Sequence, residues 1–177
     1  AAAGYDFDSL FVPFLCNSVD ISNSREVIFR KGDLSQATRA SMTVPLYFRP
    51  ILIDGNIMYD GGIYNNFPVD HVMDAFHPDI IIGSKAAEGN KAPDEFDIMR
   101  QIENIVMKPS SYHIPEEKGI LLDMDFKNQS LLAFDKLEEY VEVGYRITIE
   151  KMDSIKLLVQ RRADDSETLN AKRAAFK

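Results

Sequence analysis

The carboxylate of Asp60 is the group in this chain best situated to do chemistry. It closes the apolar run Ile57-Met58-Tyr59 and stands immediately before Gly61-Gly62. A strand end of this kind presents an acidic side chain at the rim of a sheet, and two residues without Cβ let another backbone approach closely. A carboxylate that is oriented and partly desolvated there can take a proton from a hydroxyl nucleophile. Asp-Gly-Gly alone is a turn former, so the motif needs company before it means more. No G-x-S-x-G occurs in the chain. Ser41, the tempting substitute, has no flanking glycines with which to build a nucleophile elbow.

The other chemistry-bearing residues are less informative. Of the three histidines, His71 and His77 lie six residues apart and share no helix face, while His113 sits in a proline-flanked loop. None has a partner at metal-ligand spacing, so no metal and no cofactor is expected. Gly61-Gly62 as an amide nest for an anion is a weak signal. The single cysteine, Cys16, excludes an intramolecular disulfide and lies beside Phe11-Val12-Pro13-Phe14-Leu15, which reads as burial of a small hydrophobe.

The elements that must hold Asp60 follow from local pattern. Val12 to Val19 reads as a buried strand, Ser22-Asn23-Ser24 as a turn, and Glu26 to Arg30 as a second strand. Asp33 is the N-cap candidate for a helix from Leu34 to Met42. Ile51 to Ile53 and Ile57 to Tyr59 form a hairpin around Asp54-Gly55-Asn56, residues that tolerate positive φ. Asn65-Asn66-Phe67-Pro68 then leads into a helix from Val69 to Phe76. Asp79 to Gly83 is a buried parallel strand by composition. Beyond a polar loop at Ala86 to Pro93, Asp94 to Met107 carries one apolar stripe at Phe96, Met99, Ile102 and Val106. Gly119 to Met124 is a candidate edge strand. A last long helix carries Phe134, Leu137, Val141, Tyr145, Ile149, Met152, Ile155 and Val159 at spacings of three and four, a pattern that predicts a core-facing stripe. Strand, helix, strand in this order points to an α/β layer fold.

With 177 residues, 45% of them hydrophobic, the chain is long enough for a real core. A formal net charge of −8 excludes the basic footprint of a nucleic-acid binder and simple adhesion to an anionic membrane. No apolar run approaches the ~20 residues of a membrane span. The opening Ala1-Ala2-Ala3-Gly4 fits a tag scar or a cut edge.

Ala40 to Asp70 reads ASMTVPLYFRPILIDGNIMYDGGIYNNFPVD. Ala40-Ser41 before Pro45, Phe48 and Pro50, then Asp60-Gly61-Gly62, Asn65-Asn66 and Pro68, follow the order A-S-x-x-x-P-x-x-F-x-P, D-G-G, N-x-P. The stretch resembles the C-terminal half of a patatin-like phospholipase domain of bacterial type. The strand at Pro13 to Asp20, the turn Arg30 to Leu34, and Leu122 to Phe134 followed by a helix with Gly144-Tyr145 extend the resemblance to nearly the whole chain. Departures are small: Thr43 stands where the family commonly has serine, and Leu46 where it commonly has glycine.

The resemblance implies the C-terminal part of a three-layer α/β/α fold spanning residues 1–160, with 161–177 a charged tail. It implies a serine acyl hydrolase with a Ser-Asp dyad, acting on a lipid or another acyl ester. Asp60 matches its proton acceptor, with Gly61, Gly62, Asn66 and Pro45 as active-site supports. The serine and the glycine-rich oxyanion loop are missing, so the isolated chain is expected to be inactive. It then needs the N-terminal half of the same domain, another chain, or a homodimer partner to cover its exposed sheet edge and apolar face. The basic tail residues (Arg161, Arg162, Lys172, Arg173, Lys177) resemble the linker of bacterial proteins with a C-terminal outer-membrane barrel, which would place the parent at the cell envelope. The alternative reading is a catalytically silent structural or interaction module on the same scaffold.

Overall fold

The computed structural model describes residues 5–86, 94–124, 134–159 and 174. Its contacts separate two compact units: the described parts of the chain up to His71 with Ile105–Ser110, and those of Val72–Asn104 with Ser111–Arg161. The tail residues read as a linker lie outside the described residues.

The first unit is built on a four-stranded sheet. Strands β1 (Cys16–Asp20), β2 (Arg25–Phe29), β3 (Ile51–Ile53) and β4 (Asn56–Asp60) lie in the order β2-β1-β4-β3, each neighbouring pair antiparallel. Local chemistry sets its corners. At the β3–β4 hairpin, Asp54 and Gly55 take φ of 52° and 79°, as a type I′ turn requires. At the β1–β2 turn, the Asp20 carboxylate accepts from the Asn23 N–H (3.2 Å), Asn23 Nδ2 (2.8 Å) and Arg25 Nε (3.2 Å). Asp20 has no accessible surface, so these donors are what make its burial tolerable.

Helix α1 (Leu34–Ser41) begins at Asp33, whose side chain accepts from the N–H groups of Ser35 and Gln36, the expected N-cap. Ala37 and Ala40 face the sheet and are buried. Their small side chains let the helix pack closely against β1 and β4. Val19, Met58, Ile63 and Phe7 complete the apolar core, with Ser18 and Thr43 buried among them.

Helix α2 (Val69–Phe76) has the bounds expected from the sequence. In the second unit, β5 (Ile81–Lys85) and β6 (Gly119–Asp123) pair in parallel, and α4 (Leu137–Glu150) and α5 (Met152–Leu158) pack on β6. Between the strands in sequence lies α3 (Ile98–Val106). Helices and strands are thus mixed as an α/β fold demands.

Several elements depart from expectation. β1 starts at Cys16 rather than Val12: Pro13 has no N–H to donate, Phe14 donates to Phe7 O instead, and Val12 is exposed. α3 starts at Ile98 because Asp94 forms its own turn, accepting from the Phe96 N–H at 3.0 Å. Ile82 is half exposed, so β5 is covered on one face only. The long C-terminal helix breaks at Lys151, and its stripe does not face a core: Leu137, Val141, Tyr145 and Ile149 are all exposed. Its spacing identifies an apolar face correctly; what that face meets is a tertiary fact that periodicity does not contain.

Candidate active site

Asp60 is the last residue of β4, opposite Ser18 of β1 in the antiparallel register. Its main-chain N–H donates to Thr43 O at 2.8 Å, so the loop after α1 pins the strand end. Thr43 is itself fully buried and locked: its hydroxyl donates to Arg39 O and accepts from the Arg39 guanidinium, both at 2.6 Å. Arg39 reaches on to Arg49 O at 3.3 Å and lies over the Phe48 ring at 5.3 Å.

The Asp60 side chain turns back over the glycines. Oδ1 accepts the Gly62 N–H at 2.8 Å and caps a 3₁₀ turn at Gly61–Ile63. Among the described residues no group donates to Oδ2. Burial pushes the carboxyl above its ordinary range, and the Gly62 hydrogen bond draws it only partly back. Half-buried, oriented through one oxygen and more basic than a surface aspartate, this carboxylate has the properties of a general base.

The glycine pair is crowded by side chains, and not by the neighbouring backbone that the sequence suggested. A Cβ on Gly61 would lie 2.3–2.6 Å from the amide atoms of Asn17. On Gly62 it would lie 2.6 Å from Asn66 Oδ1 and 3.1 Å from Asp60 Oδ1. Asn66 therefore packs on the turn, and its N–H donates to Ser110 Oγ at 2.8 Å. The structure brings Asp60, Gly61, Gly62 and Asn66 together. Pro45 is half-buried two residues past Thr43, in the turn closed by the Phe48 N–H on Val44 O (3.0 Å); it serves the loop that holds the Asp60 backbone.

Ser41 lies beside the Cys16 thiol: burial pushes that thiol up to about 11, and the Ser41 side chain draws it only partly back. The histidines form no metal set among the described residues. His71 Nε2 lies 3.1 Å from Glu26 Oε2; His113 is exposed.

Two residues escaped sequence reasoning. Asn17, on β1 and only 8% exposed, donates through Nδ2 to Glu26 Oε1 (3.0 Å) and to Asn65 O (2.7 Å). Lys108 donates its N–H to Ile63 O (2.7 Å) and sets its ammonium 3.6 Å from the Tyr64 ring centroid, walling the turn. The signal for Asn17 was available: Asn17, Ser18 and Asp20 are polar residues in a strand read as buried, so each needed a partner.

Residues 6–73 match the patatin-like phospholipase family model. The match takes in the whole first sheet, Asp60 and the glycine pair. The chain is similar to Lysophospholipase NTE1 of Cryptococcus neoformans var. neoformans serotype D, at 29% identity over 89 residues, 50% of the chain and 6% of that protein. It is similar to Lysophospholipase NTE1 of Mycosarcoma maydis at 22% identity, over 82% of the chain and 9% of that protein. A third relative, the patatin-like phospholipase domain-containing protein ZK370.4 of Caenorhabditis elegans, is 38% identical over 65 residues, 36% of the chain and 5% of that protein. The chain spans less than a tenth of the length of these relatives. They come from fungi and a nematode, and lend no support to a bacterial type. No helix among the described residues is long and apolar enough to cross a membrane.

Proposed function

We propose that Asp60 is the proton acceptor of a Ser-Asp dyad in a patatin-like lipid acyl hydrolase, and that the serine comes from a segment outside these 177 residues. The observation that carries this reading is the Asp60 carboxyl itself: oriented by Gly62, raised by burial, and situated inside the stretch that matches the family. The names of the relatives point to a lysophospholipid or a similar acyl ester as substrate.

The chemistry would run through Oδ2. The serine oxygen bonds the ester carbonyl carbon as its proton passes to Asp60, and the ester C–O bond breaks as that proton passes to the leaving oxygen. Water then attacks the acyl-serine by the same route, with Asp60 again taking the proton and returning it to the serine oxygen. Gly62 keeps Oδ1 occupied throughout, so the carboxylate does not rotate away between the two halves. The oxyanion donors, like the serine, must come with the missing segment.

A serine-directed fluorophosphonate tests the reading. The isolated chain is expected to remain unlabelled. A polypeptide joining it to a segment with a glycine-rich loop and G-x-S-x-G is expected to label at that serine. Stoichiometric labelling of the isolated chain would overturn the assignment. A joined polypeptide that folds but neither labels nor turns over would favour the silent module.

A further inference from the structure

We infer that Asn17 is a positioning residue for Asp60, a brace on β1 that holds the Gly61–Asn65 turn in the shape that lets Gly62 reach the carboxylate. The inference rests on the reading of Asp60 as proton acceptor for its functional meaning, but the contacts stand independently of it. The Asn17 carboxamide fills the space a Cβ on Gly61 would take, its atoms 2.3–2.6 Å from that position. Its Nδ2 donates in two directions, to Asn65 O at 2.7 Å and to Glu26 Oε1 at 3.0 Å, so the amide cannot swing aside without losing both bonds. The turn closes on itself from the other side, because Tyr64 and Asn65 both donate their N–H to Gly61 O, at 3.0 and 2.9 Å.

Asn17 therefore touches the first residue of the turn by packing and its last residue by a hydrogen bond. The Gly62 N–H that orients Asp60 lies between those two points. Glu26 extends the brace, since its second oxygen lies 3.1 Å from His71 Nε2 at the start of α2. A residue 43 positions before Asp60 in sequence thereby fixes the geometry of its carboxylate.

Asn17→Asp is the sharpest variant. It keeps the volume under Gly61 but removes both N–H donors and sets a carboxylate against Glu26 and Asn65 O. Hydrogen exchange and carboxyl-carbon NMR on the full chain give the readout. Gly62 amide exchange is expected to accelerate roughly tenfold or more, with a shifted Asp60 titration, while the Ser35 amide capped by Asp33 stays unchanged. Unchanged Gly62 exchange and an unchanged Asp60 titration in the folded variant would overturn the inference. If Asn17→Asp does not fold, a cycle of Gly61→Ala and Asn17→Ala decides. Gly61→Ala should be far less damaging in the Asn17→Ala background than in the natural chain, and additive losses would overturn the brace. A positive result here beside an inactive joined enzyme would remove the role of Asp60 and leave the brace standing.

Discussion

Asp60 and Gly62 are joined across the turn they share: Oδ1 of the carboxylate accepts the Gly62 N–H at 2.8 Å, and among the described residues no group donates to Oδ2. That single bond converts a flexible acidic side chain into one of fixed aim. It also has an energetic signature. Burial raises the carboxyl above its unfolded value in spite of the bond, so ionised Asp60 costs the folded state stability at neutral pH.

The first prediction follows from that sign. Because the folded-state value is raised, the cost is absent while the group is protonated and grows as pH rises through the folded value. Asp60→Asn keeps an oxygen for Gly62 and removes the charge. It is expected to match or slightly exceed the natural chain in thermal midpoint at pH 7, with any advantage gone near pH 3. A large loss of stability at pH 7 would count against a strained, partly desolvated carboxylate.

Asp20 predicts the opposite slope. Hydrogen bonds, first from the Asn23 side chain, hold its carboxyl below the ordinary range, as the Ser35 hydroxyl does first for Asp33. A lowered folded-state value gives stability that is present above the unfolded value and lost as pH falls through the folded one. The urea midpoint is expected to drop as pH is lowered from about 4 toward 2, and Asp20→Asn should flatten that drop. A midpoint that rises over this window in the natural chain would contradict the assignment.

Leu46 occupies the left-handed region at φ 72°, and its side chain is 62% exposed. An L residue pays about 1–2 kcal/mol for that conformation, partly offset by the greater unfolded-state freedom of glycine. Leu46→Gly is expected to stabilise the chain by up to about 1 kcal/mol in urea unfolding. A loss of similar size would show that the Leu46 side chain packs usefully after all.

Cys16 gives a chemical check on the core beside α1. With its thiol pushed up to about 11, only a small fraction is thiolate at pH 8. Alkylation by iodoacetamide is expected to run roughly a hundredfold slower than for an unhindered cysteine and to accelerate above pH 10. Rapid labelling at pH 7 would contradict the partial burial of Cys16 at this strand end.

Legibility in the sequence follows the range of the interactions. The Asp33 cap, the Asp54-Gly55 turn and helix α2 were readable because each is decided by residues within a turn of one another. Asp60-Gly61-Gly62 was readable as a motif, but what crowds the glycines was not: Gly61 meets Asn17, from far back in the chain and held by Asn65 and Glu26, and Gly62 meets Asn66. The stripe of α4 shows the same limit from the other side. Leu137, Val141, Tyr145 and Ile149 specify an apolar face, and nothing in their spacing says whether the fold covers it.

The most direct measurement is ester turnover by a polypeptide that joins this chain to a segment bearing the glycine-rich loop and G-x-S-x-G, with and without Asp60→Asn. Removal of a general base is expected to lower the rate by roughly 10²–10⁴-fold while the fold persists. A variant that keeps more than a few per cent of the rate would show that the proton goes elsewhere and that Asp60 is a structural cap.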